Sequence, residues 1–255
     1  MSQSYFVYRE AANANELEIL LRLRYHAFRD SQLKGFVAEN ETGLDLDCYD
    51  LRSRHFGLFH HAENHTVAVG YHRVVSDEYG PHWQNIMTLA SQSSQQYERV
   101  CQTPVKPLPL MTYHPQAKIL EDYYNHLNSE GRKICEGSRL TLSEPFRSIE
   151  LVRHIIGSAV TIFFDICRYD LGLVALSPSH RRFYTPFGFT DVDQINVFKI
   201  FGVSLTCLKI TANAIPKTLK NSIHQMGEAF EETGMICYFP DRPGEYLVTQ
   251  SDLNR

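Results

Sequence analysis

Three carboxylates crowd into six residues in the stretch Asp45-Leu-Asp47-Cys-Tyr-Asp50, with Glu39 and Glu41 just upstream. Like charges this close disturb one another's ionisation unless cations or hydrogen-bond donors stand nearby. One reading is a solvated acidic loop. The other is a site that binds an amine and takes its proton, with Arg24 and Arg73 as balancing charge. A carboxylate can accept that proton directly or through one water. A second cluster, Glu136-Gly-Ser138-Arg139, falls late on an extended segment. Strand alternation puts Glu136 and Ser138 on one face, and Cys135, Gly137 and Arg139 on the other. A Glu and an Arg on a core strand each need a partner. That partner makes either a structural ion pair, with Arg73 or the aspartates, or a catalytic arrangement. The third candidate is the loop Ser143-Glu-Pro-Phe-Arg-Ser148, ahead of a helix that begins near Ile149. Helix N-termini attract phosphate, and Arg147 and Arg153 add positive charge there.

Other chemistries find little support. His60, His61 and His65 lack the helical spacing or cysteine partners of a zinc site, so no metal is expected. No Gly-rich dinucleotide or phosphate-binding loop is present, and no Gly-x-Ser-x-Gly elbow. Cys48, Cys101, Cys135, Cys167, Cys207 and Cys237 are scattered, which suits reduced thiols rather than a disulfide framework. A net charge of −4 gives no bulk attraction to nucleic acid. The first residues lack the basic start and apolar run of a secretory signal. The most apolar helix-like run, residues 157–167, is closed by Asp165 and Arg168, well short of the ~20 residues that span a bilayer. A soluble, cytoplasmic protein without a membrane span is expected.

The elements that must position these residues follow from periodicity. With 255 residues, 43% of them hydrophobic, and no evident linker, the chain reads as one domain over 1–255. Residues 16–29 form a helix whose stripe of Leu17, Leu20, Leu21 and Phe28 is interrupted by Arg24. Residues 55–59 and 66–75 read as a hairpin joined by a short polar turn over 61–65. In its second strand Val67, Val69, Tyr71 and Arg73 share one face, while Ala68, Gly70 and His72 share the other. Residues 77–130, with a stiff Pro104-to-Pro109 segment and a helix over 116–127, read as an insertion packed beside the core. A strand over 133–142, an apolar helix over 149–169, a buried strand over 172–177 and a short helical turn over 181–186 come next. Residues 195–210 read as further strand. The helix over 216–232 is opened by Pro216 and ended by Gly234. The layout is mixed α/β.

Four short motifs then fall in order. Arg24-Tyr-His-Ala-Phe28, Asp45-Leu-Asp47-Cys-Tyr49-Asp50, Gly70-Tyr-His-Arg73 and Glu136-Gly-Ser138-Arg139 together resemble the signatures of the acyl-homoserine-lactone (autoinducer) synthases and related N-acyl amino acid synthases. Tyr184-Thr-Pro-Phe-Gly188-Phe189 is similar to a sequence found across GNAT enzymes. The resemblance implies a GNAT-like three-layer α/β (α+β) fold, a mixed twisted sheet flanked by helices and splayed at its middle. It implies single-step acyl transfer from a thioester to an amine. By residue, it implies that Asp45, Asp47 and Asp50 bind and deprotonate the amine, held by Arg24, Arg73 and Phe28. Glu136 would sit beside the reacting carbonyl, with Ser138 and Arg139 supporting the strand or the donor. Tyr184 would protonate the leaving thiolate, and Leu142, Phe146, Arg147 and Arg153 would contact the donor.

The departures carry information. The glycine-bearing pyrophosphate loop of GNAT enzymes has no clean counterpart between Ser143 and Gly157, and a glycine-free loop cannot bring its backbone so close to a pyrophosphate. That favours an acyl-phosphopantetheine thioester on an acyl carrier protein over coenzyme A, with no tightly bound cofactor. Carrier proteins are acidic, so Arg147, Arg153, Arg168, Arg181 and Arg182 are candidates for docking. Phe36 stands where the lactone synthases tend to have tryptophan. With the insertion, this favours N-acyl amino acid synthesis over lactone formation. The competing readings are an acetyl-coenzyme A-dependent N-acetyltransferase and a catalytically silent acyl-binding module. Residues 149–169 and 116–127 are candidates to line an acyl tunnel, or are ordinary core.

Overall fold

The computed structural model describes residues 4–62, 65–104 and 106–247. The chain runs β1 (Tyr5–Glu10), α1 (Ala14–Arg29), β2 (Ser53–Ala62), β3 (His65–Val75), α2 (Trp83–Ala90), α3 (Ser94–Cys101), α4 (Pro109–Tyr113), α5 (Ala117–Ser129) and β4 (Ile134–Leu142). It continues through α6 (Ile149–Thr161), β5 (Leu171–Leu176), α7 (Arg181–Tyr184), β6 (Thr190–Asp191), β7 (Phe198–Ile200), β8 (Val203–Ile210), α8 (Lys217–Thr233) and β9 (Met235–Tyr238). The sheet order is β6-β8-β5-β4-β3-β2-β1-β9, with β7 paired to β8 alone. Among the described residues only β4 and β5 pair in parallel; the other pairs are antiparallel.

Helices cover both faces, which is the GNAT-like three-layer arrangement. On one face Ile155, Ile156 and Phe163 of α6 and its extension, with Ile223 and Met226 of α8, pack on Phe56, Leu58, Val174 and Leu208. On the other, α1 to α3 pack on Phe59 and Tyr71. There too Leu110 and Met111 of α4 and Leu120 and Tyr124 of α5 pack on Leu171, Leu173 and Leu205. Alternation along β5 and β8 keeps the two cores apart. The helices expected to line an acyl tunnel, α5 and α6, lie in different cores on opposite faces of the sheet.

Several other expectations change. The helix expected over 149–169 is α-helical to Thr161 and continues as a π-helical turn over Ile162–Ile166. Residues 195–210 are two strands rather than one, because Phe201 (φ 50°) and Gly202 (φ 82°) turn the chain back with two consecutive positive φ values. The strand β1 and the edge strand β9 went unread. Each is too short for its alternation to stand out, and only their pairing with each other and with β2 defines them. The turn of the β2–β3 hairpin and part of the proline-rich segment lie outside the described residues, at 63–64 and 105.

Two bulges reassign side chains to faces. In β3 the register slips opposite Leu58 and Phe59, so Val69 joins the α6-side core while Ala68 packs on the α1 side, the reverse of the expected alternation. In β4 the register slips between the pairs Tyr71–Thr141 and Arg73–Ser138, leaving Arg139 and Leu140 opposite His72 alone. Arg139 takes a φ of 58° there. Its side chain therefore joins Glu136 and Ser138 on the α1 face, not Cys135 and Gly137 as simple alternation predicts. Beyond Gly137 and Val174, β4 and β5 no longer pair although both continue, so the sheet splays at its middle.

Candidate active site

The aspartates are drawn together by their own backbone. Asp47 caps the short 3₁₀ turn Cys48–Arg52: its carboxylate accepts from Tyr49 N, while Asp50 accepts from Asp47 N at 2.8 Å. Three arginines from separate elements converge on them. Arg24, in the middle of the apolar stripe of α1 and fully buried, donates both Nη atoms to Asp50 at 2.9 Å and one to the Asp45 carbonyl. Arg73 on β3 donates to Asp47 and Asp50 at 2.8 Å and to Ser138 Oγ at 3.1 Å. Arg139, delivered by the β4 bulge, stands 3.2 Å from Asp45 and 3.5 Å from Asp47. It donates to the Phe36 carbonyl and lies over the Phe28 ring. The solvated-loop reading is thereby overturned: Asp45 and Asp50 are fully buried and Asp47 nearly so.

Three guanidinium groups against three carboxylates make this network electrically neutral, which is how so many charges tolerate burial. The consequence for chemistry is that Asp47 and Asp50 are poor bases. Burial works against the Asp50 charge, but Arg24 and Arg73 outweigh it and hold that carboxyl well below the usual range. Asp47 is likewise held low, burial being overcome by Arg73 and Arg139. A further shell locks the arrangement. Arg24 donates to the Tyr71 hydroxyl, so Tyr71 donates to His55 Nδ1 at 2.8 Å, and His55 Nε2–H donates to the Asp50 carbonyl at 3.2 Å. Burial keeps His55 neutral, lowering its pKa to about 4. Tyr71 and His55 were not singled out from sequence. Their position beside Arg73 on paired strands was the available signal.

Glu136 is the fourth carboxylate, without an arginine of its own. It is 3% exposed, and its Oε2 accepts the Leu110 N–H at 2.8 Å. Burial pushes it up to about 7, against the pull of that N–H and of Arg73. A carboxylate poised near neutrality on a central strand, at the point where β4 and β5 part, is suited to proton transfer.

The donor-side residues stand apart from this network. Leu142 and Phe146 are packed into the α6-side core, Phe146 against His60 and Phe6. Arg147 and Arg153 are exposed, and Arg147 Nε donates to the Leu142 carbonyl at 3.1 Å. Tyr184 sits on α7, edge-on to Phe189 at 5.2 Å. Burial raises its pKa, so it keeps its proton, and among the described residues no hydrogen bond links it to the aspartates or Glu136. The loop ahead of α6 uses its own N–H groups: Ser143 N donates to Val69 O, Phe146 N to Ser143 O, Arg147 N to Glu144 O and Ser148 N to Phe146 O. Ser148 also caps Leu151 N, and Glu144 and Glu150 flank the helix start. Of the docking arginines, Arg168 pairs with Glu231 and Arg181 with Asp191, so only Arg147, Arg153 and Arg182 are free of ion pairs among the described residues. His60 and His61 pack against Phe6 and Tyr5. Among the described residues no metal-holding group of side chains forms, and no helix is long and apolar enough to cross a membrane.

Comparison with known proteins bears on the same residues. Residues 108–210 match the family model described as N-acyl amino acid synthase FeeM, and residues 23–105 match the acetyltransferase (GNAT) domain. Among solved structures, the chain is similar to FeeM, an N-acyl amino acid synthase from uncultured soil microbes, with 15% identity over 82% of this chain and 92% of that one and a TM-score of 0.54. It is similar to BjaI, a CoA-dependent acyl-homoserine lactone synthase, at 15% identity over 88% and 90%, TM-score 0.51. It is also similar to the acyl-homoserine lactone synthase LasI, at 12% identity over 86% and 94%, TM-score 0.50. No curated protein matches the sequence. The two matched segments between them contain every residue of the network above.

Proposed function

We propose that this chain, an acyltransferase of the GNAT fold, moves a fatty acyl group from an acyl carrier protein thioester to the amine of an amino acid. The observation that carries this reading is Glu136, a buried carboxyl near neutrality beside a charge-balanced arginine–aspartate network, where the sheet splays. The acceptor nitrogen attacks the thioester carbonyl and a C–N bond forms. The C–S bond breaks, Glu136 takes the proton lost by nitrogen, and the thiolate leaves. Tyr184, held protonated, is the proposed donor of a proton to that sulfur. Asp45, Asp47 and Asp50 orient the acceptor, and Asp47 and Asp50, whose carboxyls the arginines hold below the usual range, have little affinity for its proton.

The loop ahead of α6 supports a donor with one phosphate. Its N–H groups are largely committed within the loop, and two carboxylates flank the helix start. A pyrophosphate needs several free N–H groups and positive potential at such a place. Arg147, Arg153 and Arg182 are the proposed contacts for an acidic carrier protein, in the cytoplasm where such carriers are charged.

The test offers purified protein matched acyl groups as carrier-protein and coenzyme A thioesters, with all common amino acids and S-adenosylmethionine, and identifies products by mass spectrometry. An N-acyl amino acid made from the carrier-protein donor and lost in Glu136→Gln is expected. Turnover with coenzyme A thioesters alone would overturn the donor assignment, and a lactone product would overturn the acceptor.

A further inference from the structure

Glu136 meets the splay from the α1 face of the sheet, and on the α6 face a histidine stands at the same point. His72 of β3 is 3% exposed and lies against the ring of Phe163, with centroids 6.2 Å apart. Its Nε2 is 3.0 Å from the place that a β-carbon on Gly137 would occupy. Gly137 and Val174 form the last pair before β4 and β5 part. Any side chain at 137 would press on that nitrogen, and glycine keeps the space beside it clear.

Tyr8 of β1 decides which proton His72 carries. Its hydroxyl is 3.1 Å from His72 Nδ1, and the residue is 1% exposed. Burial raises the Tyr8 pKa well above its ordinary value, so the phenol keeps its proton. That proton has no other acceptor among the described residues. Tyr8 therefore donates, Nδ1 accepts, and the ring's own proton sits on Nε2. Burial, with Arg73 nearby, lowers the His72 pKa to about 3 and keeps the ring neutral. The Nε2–H has no acceptor among the described residues, yet it is not wholly shut off from solvent. Phenylalanine would fill the same volume without leaving a donor unmatched. A neutral imidazole held in one tautomer, with its N–H uncommitted at the splay, suits an oxygen that arrives with the substrate.

We infer that His72 Nε2–H donates to the thioester carbonyl oxygen as the acceptor nitrogen adds to the carbonyl carbon. The inference rests on the acyl-transfer reading and adds a catalytic residue to that site. The nitrogen lone pair forms the C–N bond while the π pair of the carbonyl moves onto oxygen. His72 stabilises that negative charge and keeps its own proton. The carbonyl re-forms as the C–S bonding pair leaves with sulfur, and Glu136, on the opposite face, takes the proton from nitrogen. Tyr8 acts through His72, as a positioning residue.

The test binds carrier-protein and coenzyme A thioesters, isotopically labelled at the carbonyl carbon, without an amine, and follows the C=O stretch by infrared difference spectroscopy. On wild type the stretch is expected at lower frequency than in buffer, because a hydrogen bond to the oxygen weakens the C=O bond. His72→Phe abolishes that shift, and His72→Gln, which keeps an N–H donor, restores part of it. With an amine present, His72→Phe should lower kcat roughly 10²- to 10³-fold with KM for the thioester little changed, the cost of one oxyanion donor. Tyr8→Phe should cost roughly 2- to 10-fold, the scale of one neutral hydrogen bond. Nitrogen NMR of histidine-labelled protein should find the His72 proton on Nε2 in wild type and on both nitrogens in Tyr8→Phe. An unshifted stretch on wild type, or a proton on Nδ1, would overturn the inference, and neither result needs a variant to fold. A shift that survives in His72→Phe would overturn it as well. Transfer with unchanged kcat in His72→Phe would sink the inference and leave the acyl-transfer reading intact. A carbonyl shifted through His72, with no transfer to any amine, would sink that reading and leave the hydrogen bond standing.

Discussion

Replacing Glu136 with Gln separates the cost of the proposed base from its use. Gln keeps the volume and an oxygen for the Leu110 N–H, but cannot ionise. The Glu136 carboxyl is raised from 4.5 to about 7 in the fold. Because the folded pKa is the higher one, its contribution to stability is complete below pH 4.5 and is lost as pH rises through 7. At pH 8 the wild type therefore carries a penalty on the order of 3 kcal/mol that the Gln variant lacks. For a chain of this size that penalty corresponds to a Tm roughly 6–12 °C higher in Glu136→Gln. By pH 5 the difference shrinks to about 1 kcal/mol or less. Activity moves the other way: loss of a general base costs about 10²- to 10⁴-fold. The ratio of wild-type to variant kcat/KM removes the acceptor's own ionisation, and should climb about tenfold between pH 6 and 8 before flattening. Thermal melts at pH 5 and 8, with initial rates across the same range, measure both. A Gln variant no more stable than wild type at pH 8, with a rate ratio independent of pH, would refute the assignment of Glu136 as a buried base near neutrality.

Three further outcomes follow from the same geometry. Asp50→Asn leaves Arg24 and Arg73 short of a buried counter-charge, and should lower stability by about 3–5 kcal/mol in urea titrations; a loss below about 1 kcal/mol would mean the network is solvated. His55, His72 and His154 are lowered by burial to about 4, 3 and 4. Their depressed values give stability that is present above pH 6.5 and lost on acidification, about 2 kcal/mol each by pH 5. A Tm that falls from pH 7 to 5, and falls less steeply in His154→Gln, is expected; identical slopes would contradict it. Arg153→Glu combined with Arg182→Glu should raise KM for a carrier-protein thioester at low salt while leaving turnover of a pantetheine thioester unchanged, and an equal loss with both donors would remove these residues from the docking surface.

Much of the site was legible because its residues break local rules. An arginine inside the apolar stripe of α1, and a Glu and an Arg on a core strand, demand partners wherever the chain goes, so Arg24, Glu136 and Arg139 stand out. Helices with clear periodicity, α1 and α8, fell within a residue or two of their expected ends. The short strands β1 and β9 did not announce themselves, since a strand of four to six residues is specified by its neighbours as much as by its own side chains.

Local pattern settled the element types, the punctuation at Pro216 and Gly234, and which charged residues had to be paired, since propensity, capping and the burial cost of charge act over a few residues. Tertiary structure alone decided which face each residue of β3 and β4 presents, because a single bulged residue reverses the alternation and no local signal marks Arg139 as left-handed. It also decided the division of labour among four carboxylates that look alike in sequence. Three have arginines delivered from elsewhere in the chain, which hold Asp47 and Asp50 acidic, while Glu136 has burial without an arginine of its own and keeps its proton to near neutrality. A side chain's acidity is set by what the whole fold brings within a few ångströms of it.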